Sequence, residues 1–274
     1  MHGISLSEHE VREELDSDDS VHHYVRATHR FFEWLGRANC ISYDLMESIE
    51  DEFNWDLSSD STALTGEQVS KLWDTATTDE ERMLVIGYCI WGLRTKELPA
   101  VHMDNVTLDV DDQYIEFGES DRKNGRGQVS LILGLNSLVN LAEVRELQSN
   151  SNGYLYPSED TGRLFLTPDQ MRRRFKDLCR RAGVRVDGDV ATPKHGRSFY
   201  YNIMADAESD LLKMAGEIAK EQGAKDARSV RDFYLSDEKR RRYKQIFFRN
   251  RVRQLLTDET YNSIQTDFDS LFDD

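Results

Sequence analysis

Residues 88–98 read YCIWGLRTKEL, an apolar run closed by Gly92 and Leu93 and followed at once by a cation, Arg94, with an acid, Glu97, three positions on. Upstream, from about Asp79, the apolar positions Met83, Leu84, Ile86, Ile90 and Trp91 cover most sides of a helix rather than one stripe. Such a helix belongs in the middle of a domain. Downstream the period changes. Residues 106–110 (VTLDV), 113–118 (QYIEFG) and 128–133 (QVSLIL) are β-branched or alternating, and Asp-Asp and an Arg-Lys-Asn-Gly turn separate them. These three runs predict a small antiparallel sheet. The rest of the chain is helical in pattern, so the fold class is mainly α with a small antiparallel β-sheet.

Working outward from that centre, Thr65 to Gln68 reads as a capping box ahead of Val69, Leu72 and Trp73. After the sheet, helices are expected near 136–148 and over 168–182. The latter opens with Thr-Pro-Asp-Gln and is stopped by Gly183. Further helices are expected over 194–205, 208–222 and 236–256. Toward the N-terminus, residues 1–19 are polar and acidic and read as a frayed leader. Tyr24, Thr28, Phe31, Phe32 and Leu35 recur at helical spacing from Val21 to about Gly36, and Ile41 to Ile49 suggests a shorter helix. The acidic, serine-rich stretch 50–62 reads as a linker. This divides the chain into a short helical region over 1–60, a main domain over 61–256 and an acidic tail over 257–274.

No apolar run approaches the roughly 20 residues of a membrane span, and no basic flank with an apolar stretch marks a secretory signal. Cys40, Cys89 and Cys179 are odd in number and widely spaced, which suits neither a disulfide framework nor a zinc site. A reducing cytoplasm is the simplest compartment. The formal charge of −16 argues against a nucleic-acid binder until it is divided along the chain. Residues 1–162 hold 12 Lys and Arg against 32 Asp and Glu, residues 163–253 hold 23 against 13, and residues 254–274 hold none against 6. A basic segment inside an acidic chain is what one face meeting phosphates requires. The acidic excess elsewhere fits a halophilic composition.

Three segments carry candidate chemistry. Taken alone, Arg94 with Glu97 reads most simply as an ion pair on a surface turn. In TPKHGRSFYYNIMA (192–205), Lys194 and Arg197 share one face at a helix start. Cations there oppose the helix dipole unless an anion is bound beside them. In QGAKDARSVRDFYLSDEKRRR (222–242), Tyr234 stands between Arg228 and Arg231 on one side and Arg240, Arg241 and Arg242 on the other. A lone tyrosine is ordinarily half-buried packing. This one lies where basic side chains would gather phosphate.

In this order the three segments resemble the tyrosine recombinase (phage integrase) family, over about Leu64 to Leu256. GLRTKEL is similar to the family's first-arginine motif, and TPKHGRSFYYNIMA to its His-x-x-Arg segment. Here Lys194 replaces the usual His, as in some archaeal viral and plasmid integrases. QGAKDARSVRDFYLS resembles the nucleophile segment. DRKNGRGQVSLIL is similar to the family's lysine-bearing hairpin, with Lys123 as that lysine and Arg122 beside it. The family's third position, usually His or Trp, falls on Ala224 or Lys225. The region before residue 61 is short for the family's core-binding domain.

The resemblance implies site-specific cleavage and rejoining of double-stranded DNA through a 3′-phosphotyrosyl intermediate, with no metal, ATP or other cofactor. Tyr234 would be the nucleophile, and Arg94 and Arg197 would grip the scissile phosphate. Lys123 would protonate the departing 5′-oxygen, with Lys194 assisting. Arg172, Arg173, Arg174, Arg228, Arg231, Arg240, Arg241 and Arg242 would contact DNA. A homotetramer on paired sites is implied, and Tyr261, Ile264, Phe268, Leu271 and Phe272 form a stripe that could dock on a neighbour. Two other readings compete: a DNA-binding relative without catalysis, and a helical transcription regulator that reads DNA with the Arg172–Arg181 helix. Tyr243 is the next candidate nucleophile, although it reads as a packed helix residue.

Overall fold

In a computed structural model of the chain, residues 62–265 are described, except 110, 111, 120, 121, 123, 124, 149, 150, 161, 224 and 225. They fall within one compact unit that begins at Ser61. The leader, linker and helices expected before residue 61 lie outside the described residues. So do Lys123, Ala224, Lys225, Phe268, Leu271 and Phe272.

Helix α1 spans Gly66–Thr75, and its first turn is closed by the expected box. Thr65 Oγ accepts from the Gln68 N–H at 3.2 Å, and the Gln68 side chain accepts from the Thr65 N–H at 2.9 Å. Helix α2, Asp79–Val85, widens into a π-helical turn over Ile86–Ile90. Met83 through Ile86 and Tyr88 through Trp91 are all buried, as the all-round apolar pattern requires. The main sheet is an antiparallel meander of β1 (Val106–Asp109), β2 (Asp112–Phe117) and β3 (Gly127–Ser130). Val106 pairs with Ile115, and Ile115 in turn with Val129.

Four further helices contribute to the core: α3 (Leu135–Glu146), α4 (Pro168–Arg181), α5 (Pro193–Gln222) and α6 (Asp237–Leu255). Helix α5 packs against both the π turn and α6. One hydrogen bond ties the central helix to the sheet's exit: the buried Trp91 indole N–H donates to the Leu133 carbonyl at 2.8 Å. Among the described residues no helix is long and apolar enough to cross a membrane.

The structure differs from the sequence reading at four places. The expected helices 194–205 and 208–222 are one element, because nothing between them breaks a helix: residues 205–208 read Ala-Asp-Ala-Glu. The third strand stops at Ser130; the Leu131 N–H still donates to the Gln113 carbonyl at 2.8 Å, and Leu131, Ile132 and Leu133 pack in the core. A two-stranded hairpin of β4 (Arg185–Val186) and β5 (Asp189–Val190) turns on Asp187 and Gly188, both at positive φ. Finally, the tail set apart at residue 257 begins with a helix, α7 (Asp258–Ile264), whose Tyr261 and Ile264 are buried in this domain's own core. These two side chains are therefore spent within the protomer rather than on a neighbour. The Gly134 N–H, at the start of α3, also donates to the Ile264 carbonyl at 3.0 Å.

Ile264→Ala removes buried methyl groups from that seat. It is expected to lower the free energy of unfolding by about 2–4 kcal/mol, measured by urea denaturation. A change within error would mean that α7 does not contribute to the core.

Candidate active site

The π turn decides where Arg94 stands. With one extra residue in the last turn, the Trp91 N–H donates to the Ile86 carbonyl at 2.9 Å and the Leu93 N–H to the Gly87 carbonyl at 2.9 Å. Gly92 sits between them at φ +62°, and a Cβ there would lie 2.2 Å from Tyr200 Cδ1. Only glycine satisfies both demands. The chain therefore leaves the helix pressed against α5, Leu93 is buried, and Arg94 emerges at the edge of the core.

Helix α5 approaches equally closely on its own side. A Cβ on Gly196 would stand 2.9 Å from Cys89 Sγ and 3.3 Å from Tyr88 Cβ. This brings the first turn of α5, with Arg197, against the π turn. The β2–β3 hairpin supplies a third cation. Arg122 lies over the Phe117 ring with its guanidinium carbon 5.5 Å from the centroid, and Gly127 leaves space for it. A Cβ on Gly127 would stand 2.3 Å from Arg122 Nη1.

These three guanidiniums meet at Glu97, which is 0% exposed. The Arg94 main-chain N–H donates to Glu97 Oε2 at 2.8 Å and Arg94 Nη1 to Oε1 at 2.6 Å. Arg122 Nε donates to Oε1 at 3.3 Å, and Arg197 Nη1 lies 3.9 Å from Oε2. Burial alone would raise the Glu97 pKa, but the Arg94 hydrogen bonds and the Arg94 and Arg122 charges outweigh it and hold the carboxyl below its ordinary value. The sequence reading paired Arg94 with Glu97 on a surface turn. The pair exists, but it is the buried hub of a cluster. Three positive charges against one negative leave an excess that suits a diester phosphate. Arg197 Nη1 is buried without a hydrogen-bond partner among the described residues.

Beside the cluster opens a cleft of about 730 Å³, lined in part by Arg122, Tyr200, Tyr201, Arg231, Asp232 and Arg240. Its far wall carries the candidate nucleophile segment. A helical turn at Ala227–Ser229 passes into a second π-helical turn, Val230–Tyr234, closed by the Leu235 N–H on the Val230 carbonyl at 3.2 Å. Tyr234 is 76% exposed at the end of that turn. Among the described residues its hydroxyl makes no hydrogen bond with Arg94, Arg122 or Arg197. The phenol that does is Tyr201, which accepts from Arg197 Nη2 at 2.7 Å. Tyr243, the alternative, is half-buried on α6 and stacks near Phe247 with ring centroids 6.5 Å apart.

The other expected residues are distributed more widely. Lys194 is exposed in the first turn of α5. His195 acts as a cap: its Nδ1 accepts from the Thr192 N–H at 3.3 Å, and burial followed by the Lys194 charge lowers its pKa. Arg231 and Arg240 line the cleft, but carboxylates hold both. Arg231 pairs with Glu208 at 3.0 Å and Asp232 at 2.6 Å, and Arg240 with Asp232 at 3.4 Å and with Asp237. Arg241 lines the cleft and is exposed, as are Arg228 and Arg242. Arg172, Arg173 and Arg174 stand exposed on α4. Arg172 pairs with Asp169 at 2.9 Å and Arg174 with Glu80 at 2.5 Å, beside a separate cavity. The residues that sequence reasoning undervalued are Glu97, Arg122 and Tyr201. For Arg122 the signal was its place in the hairpin.

Comparison with solved structures finds similarity to the crystal structure of XerA recombinase, at 14% identity and TM-score 0.42, covering 96% of this chain and 83% of that one. The integrase from mycobacterium phage Brujita is similar at 15% identity and TM-score 0.42, over 93% of this chain and 81% of that one. A lambda integrase(75-356) dimer bound to a COC' core site is similar at 14% identity and TM-score 0.43, over 72% and 73% of the two chains. No protein-family model matches the sequence, and no curated protein matches it.

Glu97→Gln leaves three guanidiniums facing one another around a neutral group. A loss of about 3–5 kcal/mol in unfolding free energy is expected at neutral pH. Because the folded carboxyl titrates below its ordinary value, its ionic contribution is present above about pH 4.3 and is lost as pH falls through the folded pKa. Denaturation of wild type and variant across that range should converge in acid. A constant difference would place the stabilisation elsewhere.

Proposed function

We propose that the protein is a site-specific DNA recombinase that cleaves and rejoins double-stranded DNA through a 3′-phosphotyrosyl link. The observation that carries this reading is the convergence of Arg94, Arg122 and Arg197, from three separate stretches of chain, on one buried carboxylate beside a basic cleft. A phosphodiester has two non-bridging oxygens that gain charge as the bond order changes. Guanidiniums held in place before the substrate arrives stabilise that charge without reorganising. Glu97 holds Arg94 and Arg122 by hydrogen bonds, with Arg197 beside them, and the excess charge is left for the phosphate.

In this mechanism the Tyr234 hydroxyl releases its proton to solvent as its oxygen attacks phosphorus. A phosphotyrosyl bond forms to the 3′-side, the bond to the 5′-oxygen breaks, and Lys123 gives the departing oxygen its proton, with Lys194 assisting. The bond energy is retained in the phosphotyrosyl link. A second 5′-hydroxyl reverses the steps on another strand. The exposed position of Tyr234 requires its turn to swing toward the arginines when DNA is bound, a movement of the sort that completes many active sites. The acidic surface fits a high-salt cytoplasm, the Lys-x-x-Arg spacing fits integrases of archaeal viruses or plasmids, and exchange of two duplexes calls for a tetramer on paired sites.

A second reading has one observation in its favour. Tyr234 has no hydrogen bond to the arginine cluster, which suits a DNA-binding relative that does not cut.

A suicide substrate that traps covalent complexes separates the two. Wild type is expected to form the adduct, and Tyr234→Phe to bind duplex DNA within about twofold of wild type yet form none. Arg94→Ala or Arg197→Ala should lower the trapping rate by about 10²–10³. An adduct that persists in Tyr234→Phe moves the nucleophile elsewhere. Its absence from wild type leaves the non-cutting binder.

A further inference from the structure

Of the three arginines, Arg94 and Arg122 hydrogen-bond to Glu97, whereas Arg197 stands back at 3.9 Å. Something else must orient its guanidinium. Tyr201 lies one helical turn further along α5, and its hydroxyl accepts from Arg197 Nη2 at 2.7 Å. The Arg197 guanidinium carbon also lies 5.0 Å from the Tyr201 ring centroid. Tyr201 is in turn braced by Tyr200, whose ring meets it edge-on at 5.3 Å. Tyr200 packs against Gly92 and, on α6, against Phe248 at 5.6 Å. A chain of ring contacts thus runs from the close approach at Gly92 to the orientation of Arg197.

We propose that Tyr201 is a positioning residue that holds the Arg197 guanidinium in register for a phosphate oxygen without neutralising it. A carboxylate in that position would fix the group equally well but would cancel the charge a phosphate needs. A phenol is a neutral acceptor with an electron-rich face, so it orients the cation and leaves its charge in place. Leu or Ala there would leave Nη2 to water, and the side chain would sample several rotamers. The inference concerns phosphate binding at Arg197 and deepens the strand-transfer reading, on which its catalytic part rests.

The test has two arms. In the first, inorganic phosphate is titrated against full-length protein while the Arg197 Nε–Hε signal is followed by NMR. Tyr201→Phe keeps the ring and loses only the acceptor, and it should need about tenfold more phosphate for half-saturation. Tyr201→Leu should need more still. In the second arm, trapping of the suicide substrate should slow about tenfold in Tyr201→Phe, with duplex affinity nearly unchanged. In an Arg197→Lys background the same change should add nothing, because the residue acts through that guanidinium. Unchanged phosphate binding in Tyr201→Phe, or a full additive effect in the Arg197→Lys background, would overturn the proposal. Wild-type protein that binds phosphate at Arg197 but forms no covalent adduct would sink strand transfer alone and leave the role of Tyr201 intact.

Discussion

A carboxylate removed from water is costly unless it is fully paired, and Glu97 meets that condition by drawing in guanidiniums from the helix exit, the hairpin and α5. The arrangement makes the site self-assembling. Each arginine is half-buried, and around a shared buried acid the three become mutually dependent. Close backbone contacts make this possible. Gly92, Gly127 and Gly196 each occupy a place where a methyl group would collide with a neighbour, and each lies on an element that delivers one of the cations.

Two of the three segments that carry candidate chemistry pass through π-helical turns. Ile86–Ile90 precedes Arg94, and Val230–Tyr234 ends on Tyr234. An extra residue in a helical turn shifts everything after it by roughly 100° around the axis. In the first case the shift lies within a packed core, which fixes it. In the second the turn lies at the surface, with Val230 buried and Tyr234 exposed. The same backbone device therefore serves a rigid purpose in one place and leaves room for displacement in the other.

Much of the fold was legible in local pattern. Capping boxes at Thr65 and Thr167 start helices where the side-chain chemistry says they should, and the three alternating runs pair in the expected order. The short hairpin at Asp187-Gly188 carried a readable turn signal as well. What could not be read was the depth of individual residues. Glu97 looks like any acid three positions after an arginine, and only tertiary packing places it at the bottom of a cluster. Tyr261 and Ile264 gave a visible stripe, but a stripe does not say whether its own domain or another molecule will cover it. For the site, the order of motifs along the chain singled out Arg94 and Arg197, two of the three guanidiniums around Glu97. The third member, Arg122, is the cation beside the expected hairpin lysine, and its place at the cluster depends on tertiary packing that a hairpin pattern does not encode.

The pairing of the basic face with acids has a consequence for how a polyanion would dock. Arg231, Arg240 and Lys244 already hold Glu208, Asp232 or Asp237, so an arriving backbone must evict resident carboxylates rather than settle on vacant cations. Each evicted acid then collects a metal cation from solution, while the nucleic acid sheds some of its own condensed ions. These opposite ion flows partly cancel. On the proposed reading, binding at this face would weaken less with rising ionic strength than binding at an unshielded basic groove.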